Sequence, residues 1–163
     1  MKLIPAGIEN FKEMIDKNAY YVDKTNLIID VLNEQVVFCT RPRRFGKTLN
    51  MSMLYYFFSI KEKENAYLFD YLNISKNKNA LKDQNKYPTI FISLKDMTKS
   101  SYEKQMNRFK EVICLCAKNF LELLNSDILL DSEKKLFQKY VDNEIQDNEL
   151  ESALFNISYF LYK

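Results

Sequence analysis

The chain has 163 residues, a formal net charge of +2, 47% hydrophobic residues and 14% aromatic residues. This length and composition suit one folded domain, or part of one, with a sizeable core, and they exclude a disordered chain. The chain has no histidine, which excludes histidine-based acid–base catalysis, Ser-His triads and histidine metal sites.

The sequence predicts a cytoplasmic protein without a membrane segment. The longest uncharged apolar-rich run, Leu49 to Ile60, has 12 residues, whereas a spanning helix needs about 20. The first residues contain no apolar core typical of a signal peptide. Cys39, Cys114 and Cys116 form no Cys-x-x-Cys pair, and we predict all three to be buried small hydrophobes, which fits a reducing compartment.

The N-terminal part predicts two short helices joined by a polar tripeptide. Apolar residues at helical spacing indicate an amphipathic segment over Gly7 to Asn18 and a helix over Asn26 to Asn33. Asp23 or Thr25 is a candidate N-cap for the second helix. By pattern alone, the segment Asp23-Lys24-Thr25 is a cap followed by solvated charge.

Two apolar runs predict strands. Val36 to Thr40 is continuous and rich in β-branched residues, which is typical of a strand buried on both faces. Pro88 to Leu94 is the second candidate. Between them, Lys47 to Phe58 predicts a helix with a broad apolar face whose aromatic end lies in the core. Further helices are predicted over Tyr102 to Leu124, Ser132 to Val141 and Glu149 to Tyr162.

This order of elements predicts an α/β fold with a helix-rich C-terminal half. The few strands would pair in parallel through right-handed crossovers. Two strands are fewer than the roughly five that a P-loop sheet requires. The sequence therefore predicts the first part of a P-loop NTPase-like domain.

The octapeptide from Arg41 to Thr48, Arg-Pro-Arg-Arg-Phe-Gly-Lys-Thr, lies between a predicted strand and a predicted helix, which is the layout of a phosphate-binding P-loop. Backbone N–H groups at the helix start would cradle the phosphates. Lys47 would reach the terminal phosphates, and Thr48 would offer its hydroxyl to Mg²⁺. The predicted nucleotide-binding residues are Arg43, Arg44, Phe45, Gly46, Lys47 and Thr48.

The loop departs from the usual pattern, because the first P-loop glycine is replaced by Arg41. Two other interpretations therefore stay open. The loop is either a basic surface segment that caps a core helix, or a site where its arginines and Lys47 contact nucleic acid or an acidic partner without nucleotide chemistry. The chain has only 2 glycines, so a glycine directly before Lys47 favours the P-loop interpretation.

Three segments together resemble the predicted AAA-ATPase-like family of bacterial proteins. They are residues 3–11, residues 20–25 (Tyr-Tyr-Val-Asp-Lys-Thr) and residues 40–48, with a further similar strand at 87–94. The resemblance implies that ATP and Mg²⁺ are bound and that Arg41 is the family's own variant. It also implies that Asp23, Lys24 and Thr25 lie near the base or sugar of the nucleotide. Family members often carry a C-terminal nuclease-like domain, which implies nucleic acid as a partner of the longer proteins.

The same resemblance implies that residues 1–163 are a single incomplete domain that ends before its acidic Walker B strand. We therefore expect an ATP-binding module that hydrolyses ATP poorly by itself, and we leave enzymatic activity and oligomeric state open. Asp96 follows the second predicted strand and is a weak candidate for the missing acidic residue. Its alternative role is that of a strand-end or turn residue.

Overall fold

The computed structural model describes residues 2–42, 44–95, 97 and 101–163. Within this part of the chain the protein is all-helical, with six α-helices and four 3-10 helices. The chain divides into two compact units, Met1–Thr89 and Ile90–Lys163. Each unit has its own cluster of buried apolar side chains.

The first unit begins with a capped short helix. The side chain of Asn10 accepts a hydrogen bond from the N–H of Glu13 at 3.0 Å, which fixes the start of α1. The α-helices of this unit are α1 (Phe11–Asp16), α2 (Leu27–Asn33) and α3 (Lys47–Phe58), and its 3-10 helices are Ile60–Phe69, Asn73–Lys76 and Ala80–Asp83.

Aromatic rings hold α3 against its neighbours in this unit. The ring of Phe69 lies 5.2 Å from the ring of Phe11 and 5.2 Å from that of Phe57, measured between centroids. The Oγ of Ser52 accepts the N–H of Phe11 at 2.8 Å, which ties α3 to the start of α1. The predicted aromatic core face of α3 is confirmed, because Phe57 and Phe58 are buried.

The second unit is a packed set of three longer helices. Its elements are α4 (Tyr102–Lys118), the 3-10 helix Leu121–Asn125, α5 (Asp131–Asp142) and α6 (Asp147–Tyr162). Helix α4 packs against both α5 and α6. The carboxylate of Glu149 accepts the N–H of Gln146 at 3.0 Å and so caps α6. The three C-terminal helices predicted from periodicity are confirmed, although α4 ends earlier than predicted.

The predicted α/β fold is wrong. The described residues contain no β-strand, and their only β-type pairings are two isolated bridges, Leu3–Ala19 and Ser59–Tyr87. A strand needs a neighbour to satisfy its backbone hydrogen bonds. Neither predicted strand has such a neighbour in the part of the chain that the structure describes.

The segment predicted as a doubly buried strand, Val36 to Thr40, is instead irregular and exposed. Val36 is 81% exposed and Phe38 is 87% exposed. Cys39 is exposed as well, so the prediction that all three cysteines are buried is wrong for this one. The second predicted strand, Pro88 to Leu94, is also irregular. An apolar β-branched run indicates a local preference for extended backbone, but it does not supply a partner.

No helix in the described ranges is long and apolar enough to cross a membrane. The amphipathic helices instead bury one face within their own unit. In the second unit, for example, Phe137 of α5 and Phe160 of α6 are both buried, and their rings meet edge to face at 6.2 Å.

Candidate functional site

The basic loop ends at the first turn of α3. Gly46 directly precedes the helix, and its backbone is left-handed, with φ 73° and ψ 24°. The N–H of Asn50 donates to the carbonyl of Gly46 at 2.9 Å, which closes the first helical turn. Gly46 has no side chain that could cap α3. The first N–H groups of the helix therefore lack a partner, and together with the helix dipole they favour an anion at this end.

Gly46 is required by backbone conformation rather than by crowding. A Cβ at this position would be in ordinary van der Waals contact with the Nζ of Lys24, at 4.0 Å, and would clash with nothing. A positive φ, however, disfavours any residue with a Cβ. Arg44 is also left-handed, with φ 67°, and an arginine in this conformation is strained. The loop therefore turns through two left-handed residues separated by Phe45.

The side chain of Lys47, near the C-terminal end of the loop, reaches back to the first two residues of the loop. Its Nζ donates to the carbonyl of Arg41 at 2.6 Å and to the carbonyl of Pro42 at 2.9 Å. The first residue of α3 thus holds its ammonium group against the start of the loop. These two contacts are made to exposed neutral carbonyls, which an anionic ligand can replace.

The side chains of the predicted site are accessible to a ligand. Phe45 is 56% exposed, and Gly46 is partly buried between exposed neighbours. Arg43 lies outside the described residues, as does Asp96, so the structure assigns neither a position. The exposed residues among the described part of the loop are Arg41, Pro42, Arg44, Phe45, Lys47 and Thr48.

Asp23 and Thr25 form an internal hydrogen-bonded turn. Oδ1 of Asp23 accepts the N–H of Thr25 at 2.9 Å and its hydroxyl at 2.7 Å. Oδ2 of Asp23 accepts the N–H of Asn73 at 2.6 Å. The Oγ1 of Thr25, which is fully buried, also accepts the N–H of Ile74 at 3.2 Å. These two side chains therefore fasten the tripeptide to the 3-10 helix Asn73–Lys76.

The same hydrogen bonds lower the pKa of Asp23. Burial by itself raises this pKa, but the bonds from the hydroxyl and N–H of Thr25, the N–H of Asn73 and the charge of Lys76 outweigh it. The carboxylate is therefore held in its charged form. Burial also raises the pKa of the nearby Tyr21 hydroxyl, which keeps that group neutral.

Lys24 differs from its two neighbours in the tripeptide. Its side chain is exposed, and its Nζ is the nearest atom to the Cβ position of Gly46. Its backbone N–H donates to the Oη of Tyr21 at 3.2 Å. The structure thus brings one residue of the tripeptide, Lys24, to the basic loop and uses the other two for internal bonds.

Sequence reasoning missed the residue that caps the other end of α3. Asn85 is buried and left-handed, with φ 54°. Its side-chain amide donates to the carbonyls of Tyr56 at 3.0 Å and Ser59 at 2.8 Å. Its backbone N–H donates to the carbonyl of Phe57 at 2.7 Å. The sequence signal is weak, since an asparagine in a polar segment is typical of any turn.

The described residues contain no cluster of three or more His, Cys, Asp or Glu side chains that could hold a metal ion. Mg²⁺ differs from such metals, because it keeps several waters and is usually bound by one or two protein oxygens together with substrate phosphates. The exposed hydroxyl of Thr48, at the second position of α3, is an oxygen ligand of the kind this ion accepts.

A family model described as Predicted AAA-ATPase matches residues 5–156 of the chain. The matched part includes the turn from Tyr21 to Thr25, the basic loop, the first five α-helices and residues 147–156 of α6. The protein therefore belongs to the predicted AAA-ATPase family, and the family resemblance seen in the sequence is confirmed. No curated protein and no solved structure shows significant similarity to the chain.

Proposed function

We propose that the chain binds ATP, with its phosphates at the loop from Arg41 to Thr48. The observation that carries this proposal is the pairing of an uncapped, glycine-led helix start with the Lys47 ammonium, which is held on the carbonyls of Arg41 and Pro42. Membership in a predicted ATPase family supports the choice of nucleotide. In this proposal the phosphates take the place of the two carbonyls as partners of Lys47.

Each loop residue has a specific role in this proposal. Backbone N–H groups of residues 44–48 donate to phosphate oxygens, as N–H groups at helix starts do in other anion sites. Arg44, and Arg43 before it, add positive charge. Phe45 contributes its backbone N–H, while its side chain remains exposed. Thr48 would offer its hydroxyl to a Mg²⁺ ion that accompanies the nucleotide and neutralises phosphate charge.

The turn from Asp23 to Thr25 supports the site in this proposal. Asp23 and Thr25 position the tripeptide through their internal hydrogen bonds. Lys24 is then the member of the tripeptide that lies near the nucleotide. As in the sequence interpretation, nucleic acid is a proposed partner only of longer proteins of this family.

Isothermal titration calorimetry with Mg²⁺ and a nonhydrolysable ATP analogue at low salt tests the proposal. Lys47→Ala removes one charge-assisted contact, and we expect it to weaken binding about tenfold or more. Lys78→Ala is the matched control, because Lys78 is an exposed lysine of the same unit outside the loop. Equal affinity of Lys47→Ala and of the unchanged chain for the ATP analogue would contradict the proposal.

Competition with duplex DNA and the melting temperature distinguish this proposal from the alternative, in which the loop binds nucleic acid or an acidic partner. In that case the ATP analogue neither competes with duplex DNA nor raises the melting temperature. DNA binding would then weaken with salt, with a log–log slope of about −0.9 per phosphate neutralised. If the loop binds nucleotide, the free energy of unfolding of the protein instead rises by about 2.7 kcal/mol at a ligand concentration of 100 times Kd.

A further inference from the structure

We propose that Lys24 is a second phosphate-binding lysine, and that it contacts the phosphates of the nucleotide rather than the base or the sugar. This inference rests on the proposed ATP site and adds a residue that lies outside the P-loop motif. Its basis is the position of the Lys24 ammonium beside Gly46, together with the contacts that fix the Lys24 backbone.

The Lys24 ammonium lies at the point where the phosphates are proposed to bind. Its Nζ is 4.0 Å from the Cβ position of Gly46, the residue directly before α3. In the described part of the chain, this Nζ takes part in no hydrogen bond and no ion pair. Lys24 therefore differs from Lys47, whose Nζ already has two carbonyl partners.

The backbone of Lys24 is anchored to the same helix that begins at the loop. Its N–H donates to the Oη of Tyr21 at 3.2 Å, and the hydroxyl of Tyr21 donates to the Sδ of Met53 at 3.4 Å. Met53 is fully buried on α3. The carbonyl of Lys24 accepts the N–H of Leu27 at the start of α2, at 3.0 Å. The ammonium is thus carried by backbone that does not have to be ordered when a ligand binds.

Charge decides which part of a nucleotide this ammonium favours. A lysine ammonium is a compact point charge that donates hydrogen bonds and accepts none. The phosphates of a nucleotide carry its negative charge, while the base and ribose are neutral. Lys24 lies beside a helix start that is itself partly positive and whose first residue is Lys47, so all three favour an anion bound there. More phosphate groups give Lys24 more negative charge to contact.

Calorimetric titration of the full chain with ATP, ADP, AMP and adenosine in the presence of Mg²⁺ tests this inference. We expect Lys24→Gln to weaken ATP binding about tenfold, the loss of one charge-assisted contact. The ratio of ATP affinity to AMP affinity should fall with it. Lys24→Arg should recover part of the ATP affinity, because it keeps the charge. Lys78→Gln, which removes an equivalent exposed charge elsewhere in the unit, should bind all three nucleotides like the unchanged chain.

Three results would overturn the inference. An equal loss of affinity for ATP and for adenosine, which carries no phosphate, in Lys24→Gln would place the lysine at the base or sugar. Unchanged ATP affinity in Lys24→Gln, beside a loss in Lys47→Ala, would remove Lys24 from the site and leave the proposed function standing. Failure of the unchanged chain to bind any nucleotide would overturn the proposed function and this inference together.

Discussion

The ammonium of Lys47 donates a 2.6 Å hydrogen bond to the carbonyl of Arg41, six residues earlier in the chain. The contact links the first residue of α3 to the first residue of the basic loop. Both residues are exposed, so solvent competes for the bond and its contribution to folding is small. The contact therefore positions the lysine more than it stabilises the protein.

The first prediction follows from that exposure. Lys47→Met should change the free energy of unfolding of the nucleotide-free protein by no more than about 0.5 kcal/mol, the usual range for surface substitutions. Urea denaturation followed by circular dichroism measures this quantity. A loss of several kcal/mol would show that the lysine is structural, and any loss of ATP binding in the variant would then need another explanation.

The second prediction concerns the left-handed backbone of Gly46. Gly46→Ala should destabilise the protein by about 1–2 kcal/mol, because the alanine Cβ disfavours positive φ, although it meets no steric clash. Gly46→Asn should cost less, since asparagine tolerates this conformation better.

Gly7 is the matched control for this prediction. Its φ is 79°, and a Cβ there would meet no atom within 4 Å, so Gly7→Ala should cost a similar amount of stability. Only the Gly46 variants should also weaken nucleotide binding. Equal effects of the two alanine variants on ATP affinity, measured by calorimetry, would contradict a specific role for Gly46.

The third prediction is a pH dependence at Asp23. Its pKa in the folded protein is lowered from the ordinary value of 3.8, so the unfolded state binds the proton more readily. The stabilisation from this carboxylate is therefore complete above its unfolded pKa and is lost as pH falls through its folded pKa. Asp23→Asn should reduce stability at pH 7 by about 1–2 kcal/mol, a value that is discounted for partial exposure.

Other carboxylates also titrate in this pH range. The quantity to follow is therefore the difference in melting temperature between Asp23→Asn and the unchanged protein. Glu133 and Glu149, for example, have lowered pKa values through hydrogen bonds from Lys163 and Lys139 respectively. Melting temperatures recorded from pH 7 down to about pH 3 should show the difference shrinking below about pH 4. A difference that stays constant over this range would contradict the assigned hydrogen bonds.

The fourth prediction concerns Asn85, which caps the C-terminal end of α3. Asn85→Gly keeps the left-handed backbone but removes the two amide bonds to the carbonyls of Tyr56 and Ser59. We expect a loss of about 1–3 kcal/mol, because the partly buried carbonyl of Tyr56 loses its amide partner and the carbonyl of Ser59 keeps only the N–H of Glu62, at 3.0 Å. Asn85→Ala should lose more than Asn85→Gly, since it also strains the backbone. Urea unfolding of both variants provides the comparison, and equal stability of Asn85→Gly and the unchanged protein would contradict the cap.

The fifth prediction distinguishes the three cysteines. Cys39 is exposed, whereas Cys114 and Cys116 are buried. Burial raises the pKa of the Cys116 thiol to about 11, and the thiol of Cys114 donates to the carbonyl of Val141 at 3.2 Å. A thiol reagent should therefore modify Cys39 rapidly in the native protein and all three cysteines only after unfolding. Mass spectrometry of the labelled peptides identifies the sites, and rapid native labelling of Cys116 would contradict its burial.

The helices were largely predictable from the sequence, and the strands were not. The periodicity of apolar residues in α4, α5 and α6 reports which face of each helix is buried, and this is a local property of the chain. The run from Val36 to Thr40 carries an equally clear local preference for extended backbone. Strand formation, however, requires a second segment at the right distance, and no periodicity within the run reports whether one is present.

The candidate site shows the same division. The Gly-Lys-Thr sequence before an apolar helix marked the helix start, where residue order alone sets the geometry. The tripeptide from Asp23 to Thr25 could be read as a cap or as a nucleotide neighbour. Its hydrogen-bond partner, the N–H of Asn73, is 50 residues away, so the sequence could not show that two of its side chains are already engaged.

The sequence by itself determined the family, the basic loop and the helices that bury one apolar face, because each depends on residues close together in the chain. Tertiary structure alone decided that the apolar runs form no sheet in the described part of the chain. It also placed Lys24 beside Gly46, and it directed the Lys47 ammonium to the carbonyl of Arg41. These outcomes depend on long-range contacts such as that of Tyr21 with Met53, and packing of this kind is a property of the whole fold.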